Sequence, residues 1–286
     1  SVVGGQTGAP LCVKPFPPRM TRSQLMVVMT GGFATIAGSV LAGYVDFLGG
    51  ADEVARGRFA KHLLTASIMS APAAFVMAKL MLPETEAEPA ETVDAQPVDE
   101  RKACNVLDAV VMGATDGLKL ALNVGAMLVA FIAILALLDW PLEAISETEW
   151  IAGWRSAHGY GTWSVQGGLG LVFQPIAWCI GAPAADIPQI GRLLGTSVIA
   201  TEFVAYADLR TMMADGTISP RGVTVVTYAL CGFANIPSMA IQIGGLGAIA
   251  PSRRADFSSL APRAMLAGAL ACWSTAAIAS AIVGTG

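Results

Sequence analysis

The sequence predicts an all-α integral membrane protein whose two halves repeat one plan, a re-entrant helical hairpin followed by a broken transmembrane helix. Hydrophobic residues make up 54% of the chain and charged residues only 13%, roughly half the charged share of a soluble domain. Residues 223–250 form an apolar run long enough to cross a bilayer, yet an amide, a proline and a hydroxyl lie near its centre. A second apolar run, near the start of the chain, is interrupted at the matching place.

The two interruptions align without a gap, because residues 32–38 read GFATIAG and residues 232–238 read GFANIPS. In the bilayer core, such polar and non-helical backbone must face protein or a water-filled cavity. Interrupted apolar segments at corresponding places in two halves are typical of a transporter binding site. The predicted fold class is therefore an inverted-repeat transporter with two re-entrant helical hairpins and two broken transmembrane helices.

Residues 1–82 are predicted to form the first half-repeat. Residues 2–16 are too short to span a bilayer, and we interpret them as the remainder of the first hairpin. A broken span over 23–48 follows, and then a span over 63–82 that is interrupted at Pro72. A solvent-exposed loop is expected between the two spans, at Arg56, Arg58 and Lys61.

The chain starts with Ser1, and no signal-peptide pattern precedes the first apolar residues. We therefore expect a transport-domain fragment that lacks earlier transmembrane helices.

Residues 83–103 are rich in acidic residues and proline, a composition that predicts a solvated linker between the halves. Residues 104–168 are interpreted as an interfacial helix up to Lys119, a scaffold span over 121–138 and a Trp-rich loop. His62 is expected to face solvent.

Residues 169–286 form the second half-repeat in this interpretation. After the end of a span comes a second hairpin over 184–209, with its tip near 198–200. The broken span over 223–250, a basic loop at Arg253-Arg254 and a last span from about Leu260 to Val283 complete the chain.

Short motifs along nearly the whole chain resemble the concentrative nucleoside transporter family. They are Gly5-Gln6-Thr7, residues 29–34, residues 66–73, Asp116-Gly117, residues 129–132, residues 202–206 and residues 227–235. The resemblance implies a multi-pass protein of the cell (inner or plasma) membrane, a homotrimer of eight-span subunits. It also implies uptake of nucleosides, such as uridine, by symport with sodium or with protons.

The resemblance assigns a role to eleven residues. The nucleobase would meet Gln6, Thr7 and Val40; the ribose would meet Glu202, Asn235 and Ser238; and Phe233 would line the pocket. The coupling sodium ion would be bound by the Ser1 side chain, the carbonyls of Gly4 and Ile36, and the Thr35 hydroxyl. No other cofactor is expected.

Four positions depart from the family pattern: Gly8 stands where the family usually has Glu, Thr201 where it has Asn, Ser1 where it has Asn, and Thr35 where it has Ser. An oxygen-rich cage still suits a hard cation, so we expect sodium rather than protons. The missing carboxylate at Gly8 leaves a second interpretation, an uncoupled nucleoside uniporter or a nucleoside-binding membrane sensor.

Composition and motifs argue against other functions. The net charge of −4 and the pI near 5.2 argue against a nucleic-acid partner, which requires a basic face. The spans carry no paired carboxylates, Ser/His set or HExxH motif, so we do not expect an enzyme. Glu202, an ionisable residue in an apolar setting, is expected to contact substrate, and the alternative is a salt bridge with Arg192 or Arg210.

Overall fold

The structure is a computed structural model that describes residues 17–85, 105–158 and 164–283. These residues form helices and short turns, with no strand among them. The chain divides into two compact units, one comprising residues 1–93 and 169–286 and the other residues 94–168. The expected all-helical fold class is confirmed, whereas the division into half-repeats stays a prediction.

The first unit contains both broken helices. Helix α1 (Arg22–Ala34) and helix α2 (Gly38–Gly49) are separated by residues 35–37 and together form the first broken helix; helix α3 (Glu53–Met81) follows. Thr21 starts α1 with a capping box, in which its hydroxyl accepts from the Gln24 N–H at 3.1 Å and its own N–H bonds the Gln24 side chain.

Helix α3 differs from the expectation in two ways. It begins at Glu53, where Asp52 caps it by accepting from the Val54 N–H at 2.9 Å, so the basic residues at 56, 58 and 61 lie on a helix and not in a loop. It also continues through Pro72. One proline removes only one backbone donor, and α3 packs along both halves of the first broken helix, which favours an unbroken helix.

The second unit contains helix α4 (Val106–Ser146) and helix α5 (Glu149–His158). The sequence interpretation separated an interfacial helix from a span near residue 120, but the structure has one continuous helix of 41 residues. Lys119, Leu120 and Ala121 are all good helix formers, and nothing at this point stops the helix. Helix α6 (Val165–Cys179) then leads into the rest of the first unit.

The second half contains a helical hairpin and the second broken helix. Helix α7 (Ile187–Ile199) and helix α8 (Glu202–Ala214) pack against each other across the turn at Ala200 and Thr201. Helix α9 (Pro220–Ala229) and helix α10 (Ile236–Ile249) are separated by residues 230–235. Helix α11 (Arg254–Val283) packs against α1, α3, α9 and α10. That the α7–α8 hairpin is re-entrant in the membrane stays a prediction.

Three segments of the described chain are long and apolar enough to cross a membrane: residues 22–49, 53–81 and 251–283. The first includes the break at residues 35–37, whose residues Thr35 and Ile36 are buried against the core. The protein is a multi-pass membrane protein, as its sequence predicts.

Candidate functional site

The second break positions an amide at the start of α10. Asn235 adopts an extended backbone conformation as the N-cap residue, and its side-chain oxygen accepts from the Ser238 N–H at 2.8 Å. Pro237 lies in the first turn, where an N–H would have no helical partner in any case. Asn235 and Ser238 are 1% and 3% exposed, so this cap is dry. Its geometry leaves the Asn235 amide nitrogen free to bond another group.

That amide nitrogen donates to Glu202, the first residue of α8. The Asn235 Nδ2 lies 2.7 Å from the Glu202 Oε2, and the Tyr44 hydroxyl on α2 lies 2.9 Å from the Glu202 Oε1. Thr201 caps α8 by accepting from the Val204 N–H, and the partial positive charge of a helix N-terminus favours a carboxylate. Glu202 therefore joins the hairpin to both broken helices.

The Glu202 carboxylate is 5% exposed, and it accepts hydrogen bonds from two neutral side chains, those of Tyr44 and Asn235. The two arginines weighed as salt-bridge partners are engaged elsewhere: Arg192 lies 3.7 Å from the Asp208 carboxylate, and the Arg210 guanidinium lies 4.9 Å from the centre of the Phe47 ring. Each carboxylate oxygen can accept more than one hydrogen bond. A buried carboxylate held by neutral donors can therefore still bind hydroxyl groups of a ligand.

The first break offers oxygen atoms at the end of α1. The Thr35 hydroxyl donates to the Gly31 carbonyl at 2.7 Å, as threonine often does within its own helix. Thr35 and Ile36 are almost fully buried, at 1% and 0% exposed. The last carbonyls of a helix carry partial negative charge, so this end of α1 is chemically suited to a cation.

The two breaks lie against each other. A Cβ atom added at Gly232 would lie 2.6 Å from the Cys272 Sγ and 2.8 Å from the Phe33 carbonyl oxygen. The Cys272 thiol on α11 lies 3.3 Å from the Cys231 carbonyl and 3.5 Å from the Ala34 carbonyl. Glycine at 232 is thus required by the close approach of the second break to the first.

The predicted site residues fall into three groups. Glu202, Asn235 and Ser238 are joined by hydrogen bonds. Val40 and Phe233 are half-buried and pack against the core, and Thr35 and Ile36 lie in the first break. Ser1, Gly4, Gln6, Thr7 and Gly8 lie outside the described residues.

Sequence reasoning missed Tyr44 and Gln242, and it misplaced His62. Tyr44 follows Val40 by four positions on α2, and Gln242 follows Asn235 by seven on α10, so helical spacing from the predicted residues was a usable signal. The Gln242 amide, 1% exposed, donates to the Met29 carbonyl at 2.9 Å. His62 is half-buried beside the Tyr228 ring and not solvent-facing, because its Nδ1 lies 3.3 Å from the Tyr228 hydroxyl.

Metal-binding clusters of the transition-metal type are not found in the described part of the chain, where no three His, Cys, Asp or Glu side chains converge. The oxygens at the first break are hydroxyl and carbonyl groups, which are ligands for hard cations.

Comparison with known proteins gives the family. The sequence profile described as "Na+ dependent nucleoside transporter C-terminus" matches residues 62–280. The chain is 42% identical over 288 residues to an uncharacterized transporter of Haemophilus influenzae, covering 99% of this chain and 64% of that protein. It is 36% identical to the sodium/nucleoside cotransporter 1 of Mus musculus, covering 96% of this chain and 42% of that protein.

The solved structures agree with the sequence comparison. The structure of CNTnw in an inward-facing substrate-bound state matches with a TM-score of 0.82 and 38% identity, covering 98% of this chain and 61% of CNTnw. The chain thus spans less than two-thirds of the length of these relatives. These relatives are transporters and not enzymes, and the chain belongs to the concentrative nucleoside transporter family.

Proposed function

We propose that this chain carries the substrate site of a secondary active transporter that takes up nucleosides by sodium symport. The observation that carries the proposal is the buried Glu202 carboxylate, bonded by Tyr44 from one broken helix and by Asn235 from the other. The description of the family profile and the name of the mouse relative both mention sodium and nucleosides. Both sources support the proposal.

The ribose of the nucleoside binds at Glu202, Asn235 and Ser238 in this proposal. A ribose presents hydroxyl groups, which donate to a carboxylate and both donate to and accept from an amide. Phe233 lines the pocket. The base is read by Gln6, Thr7 and Val40, since a side-chain amide can both donate to and accept from a nucleobase edge.

The coupling sodium ion binds at the first break. Its ligands are the Thr35 hydroxyl, the Ile36 and Gly4 carbonyls and the Ser1 side chain. Because the Thr35 hydroxyl donates its hydrogen bond to the Gly31 carbonyl, its oxygen lone pairs can point at a cation. The partial negative charge at the end of α1 supports the same assignment.

Coupling follows if the ion and the nucleoside favour the same arrangement of the two breaks, since each then raises the affinity for the other by the same factor. The close packing of Gly232 near the Phe33 carbonyl, where an added Cβ would clash, supports a short path between the two sites. We further propose that the full-length protein is a homotrimer in the cell membrane.

The alternative is an uncoupled carrier or a nucleoside-binding sensor. Gly8 favours it, because this position lacks the carboxylate that the family usually has there. A uniporter would move nucleosides only down their own gradient, whereas a symporter accumulates them.

The deciding experiment is uridine uptake into proteoliposomes by the full-length protein, with and without an inward sodium gradient, in parallel with Gly8→Glu. We expect sodium-stimulated accumulation above equilibrium. Equilibration without accumulation in the natural protein, with accumulation in Gly8→Glu, would establish the uncoupled carrier. Saturable uridine binding without any uptake would establish the sensor.

A further inference from the structure

A cavity of about 180 Å³ lies between the beginning of α3, the end of α8 and the beginning of α9. Phe59 and Val223 are buried and contribute to an apolar floor, whereas Arg58 is exposed and marks the mouth. His62 and Thr224 are half-buried between them. The cavity therefore has an apolar inside and a polar entrance.

The electrostatic character of the cavity is cationic. Among the described residues that line it, Arg58 carries a permanent charge and none is acidic. The Arg58 guanidinium lies 5.7 Å from the centre of the Phe59 ring, which holds it over the apolar floor. Asp186, a buried carboxylate near the start of α9, is not part of the lining; it accepts from both the N–H and the hydroxyl of Ser219.

The cavity lies near the end of a membrane span. Arg58 is five residues into α3, and Pro220 is the first residue of α9. At a rise of about 1.5 Å per residue, Arg58 lies roughly 8 Å along the helix from its first residue. The segment 53–81 is a candidate span, so this end of it lies where lipid headgroups meet the hydrocarbon.

We propose that this cavity binds the phosphate-bearing headgroup of an anionic membrane lipid, with Arg58 bonding the phosphate and the apolar floor holding the adjoining carbons. A guanidinium matches phosphate with two parallel hydrogen bonds, and basic pockets between membrane helices are typical headgroup sites. The volume is below the roughly 300 Å³ at which pockets for drug-sized molecules begin. It fits a headgroup better than a whole nucleoside.

The experiment measures the thermal midpoint of the purified full-length protein in nonionic detergent, without transport. Three separate titrations add phosphatidylglycerol, phosphatidylcholine or inorganic phosphate. We expect phosphatidylglycerol to raise the midpoint saturably. Arg58→Gln is expected to raise the half-saturating concentration of phosphatidylglycerol at least about fivefold, because one charge-assisted contact is lost. Lys61→Gln is the matched control, because Lys61 is an exposed basic residue on the same helix outside the lining.

Thr224→Phe, which fills the cavity without removing a charge, is a second variant and is expected to abolish the response. An equal response to phosphatidylcholine, or a response that Arg58→Gln and Thr224→Phe both leave unchanged, would overturn the proposal. If inorganic phosphate alone reproduces and competes with the lipid effect, the site takes free phosphate and the lipid assignment is wrong. None of these readouts depends on nucleoside transport, so failure here is distinct from failure of the proposed function.

Discussion

The two broken helices share a sequence pattern but restart differently. In the first, three residues separate α1 from α2, and α2 begins after Ala37, whose methyl group cannot cap a helix. In the second, six residues separate α9 from α10, and Asn235 caps α10 with its side chain. Gly38 and Ser39 at the start of α2 are exposed, whereas Pro237 and Ser238 at the start of α10 are buried.

The difference separates two ways of building a site. In the second break, the residue that caps the helix also donates to Glu202, so local folding and the candidate substrate site depend on one hydrogen-bond network. In the first break, Ala37 offers no acceptor to the first N–H groups of α2, and the polar atoms lie on the α1 side. We infer that the second break is a rigid substrate platform and the first break a region completed by its ligand.

The largest effect is expected at Glu202, the hairpin residue that is hydrogen-bonded to both broken helices. Glu202→Gln keeps the shape, since the amide oxygen can accept from Asn235 while the Tyr44 hydroxyl turns to accept from the new NH₂ group. The charge is lost, however, and charged hydrogen bonds in a buried site together contribute about 3 kcal/mol, or roughly 100-fold in kcat/KM. Uridine uptake in proteoliposomes at matched protein amounts measures it.

Glu202→Asp is the control for charge without reach, and we expect an intermediate loss. Uptake at the natural rate in Glu202→Gln would mean that the carboxylate is structural, and that the ribose binds elsewhere.

Asn235→Ala is expected to have the next largest effect, because the second break would lose a cap and a donor together. A lost N-cap costs about 1 kcal/mol of stability, which lowers the thermal midpoint. A buried acceptor that loses one partner costs about 2 kcal/mol, so we expect uptake efficiency to fall roughly 30-fold. Asn235→Ser keeps a capping oxygen but cannot reach Glu202 in the same way. It should restore the thermal midpoint without restoring uptake; recovery of both would contradict the platform.

Gly232→Ala tests the contact between the two breaks. The added methyl group would clash with the Phe33 carbonyl and the Cys272 thiol, and forcing a methyl group into such a packed place costs about 1–3 kcal/mol. Gly43→Ala on α2 is the matched control, since nothing lies within 4 Å of its added Cβ and alanine favours a helix. Thermal midpoints in detergent should fall for the first variant and hold or rise for the second. Equal midpoints would show that the breaks can separate freely.

Tyr44→Phe removes the contribution of the first broken helix to Glu202. One hydrogen bond contributes about 1 kcal/mol net, so we expect the KM for uridine to rise roughly fivefold and the thermal midpoint to fall slightly. Tyr206→Phe is the control: its buried hydroxyl donates to the Thr227 carbonyl and not to Glu202. If both variants change the KM equally, aromatic packing rather than the hydrogen bond to Glu202 is responsible.

The pattern of breaks was predictable from sequence, because proline, glycine and an amide inside an apolar run have no stable place in lipid. The sequence singled out Asn235 and Glu202 for the same reason. Tyr44 was not, since a tyrosine in an apolar run is equally expected in a packed core, and only the fold brings it to a residue 158 positions away.

The extent of α3 and α4 was also missed, and for one reason. Both were divided at a local signal, Pro72 and the basic residues before residue 63 in α3, and Lys119 in α4. Capping at Asp52 and Asn105 extends these helices beyond their apolar parts, and apolar character predicts where a helix meets lipid rather than where it begins.

The smallest effect is expected at Thr35. This variant tests whether the first break binds sodium while the second binds the nucleoside. Thr35→Val keeps the side-chain shape and removes the hydroxyl, one oxygen among several in the proposed sodium site. We expect the sodium concentration for half-maximal uptake to rise about threefold, less than 1 kcal/mol, with the uridine KM unchanged at saturating sodium. Thr35→Ser should behave as the natural protein, because it keeps the oxygen.

Asn235→Ser should show the opposite pattern, a raised uridine KM with sodium dependence retained at saturating uridine. The hydroxyl of Thr35 also bonds the Gly31 carbonyl, so its removal will lower the thermal midpoint slightly whether or not sodium binds there. Sodium dependence is the readout that distinguishes the two roles. If Thr35→Val lowers the midpoint but leaves the sodium response untouched, the hydroxyl only closes the end of α1, and the first break does not bind the ion through it.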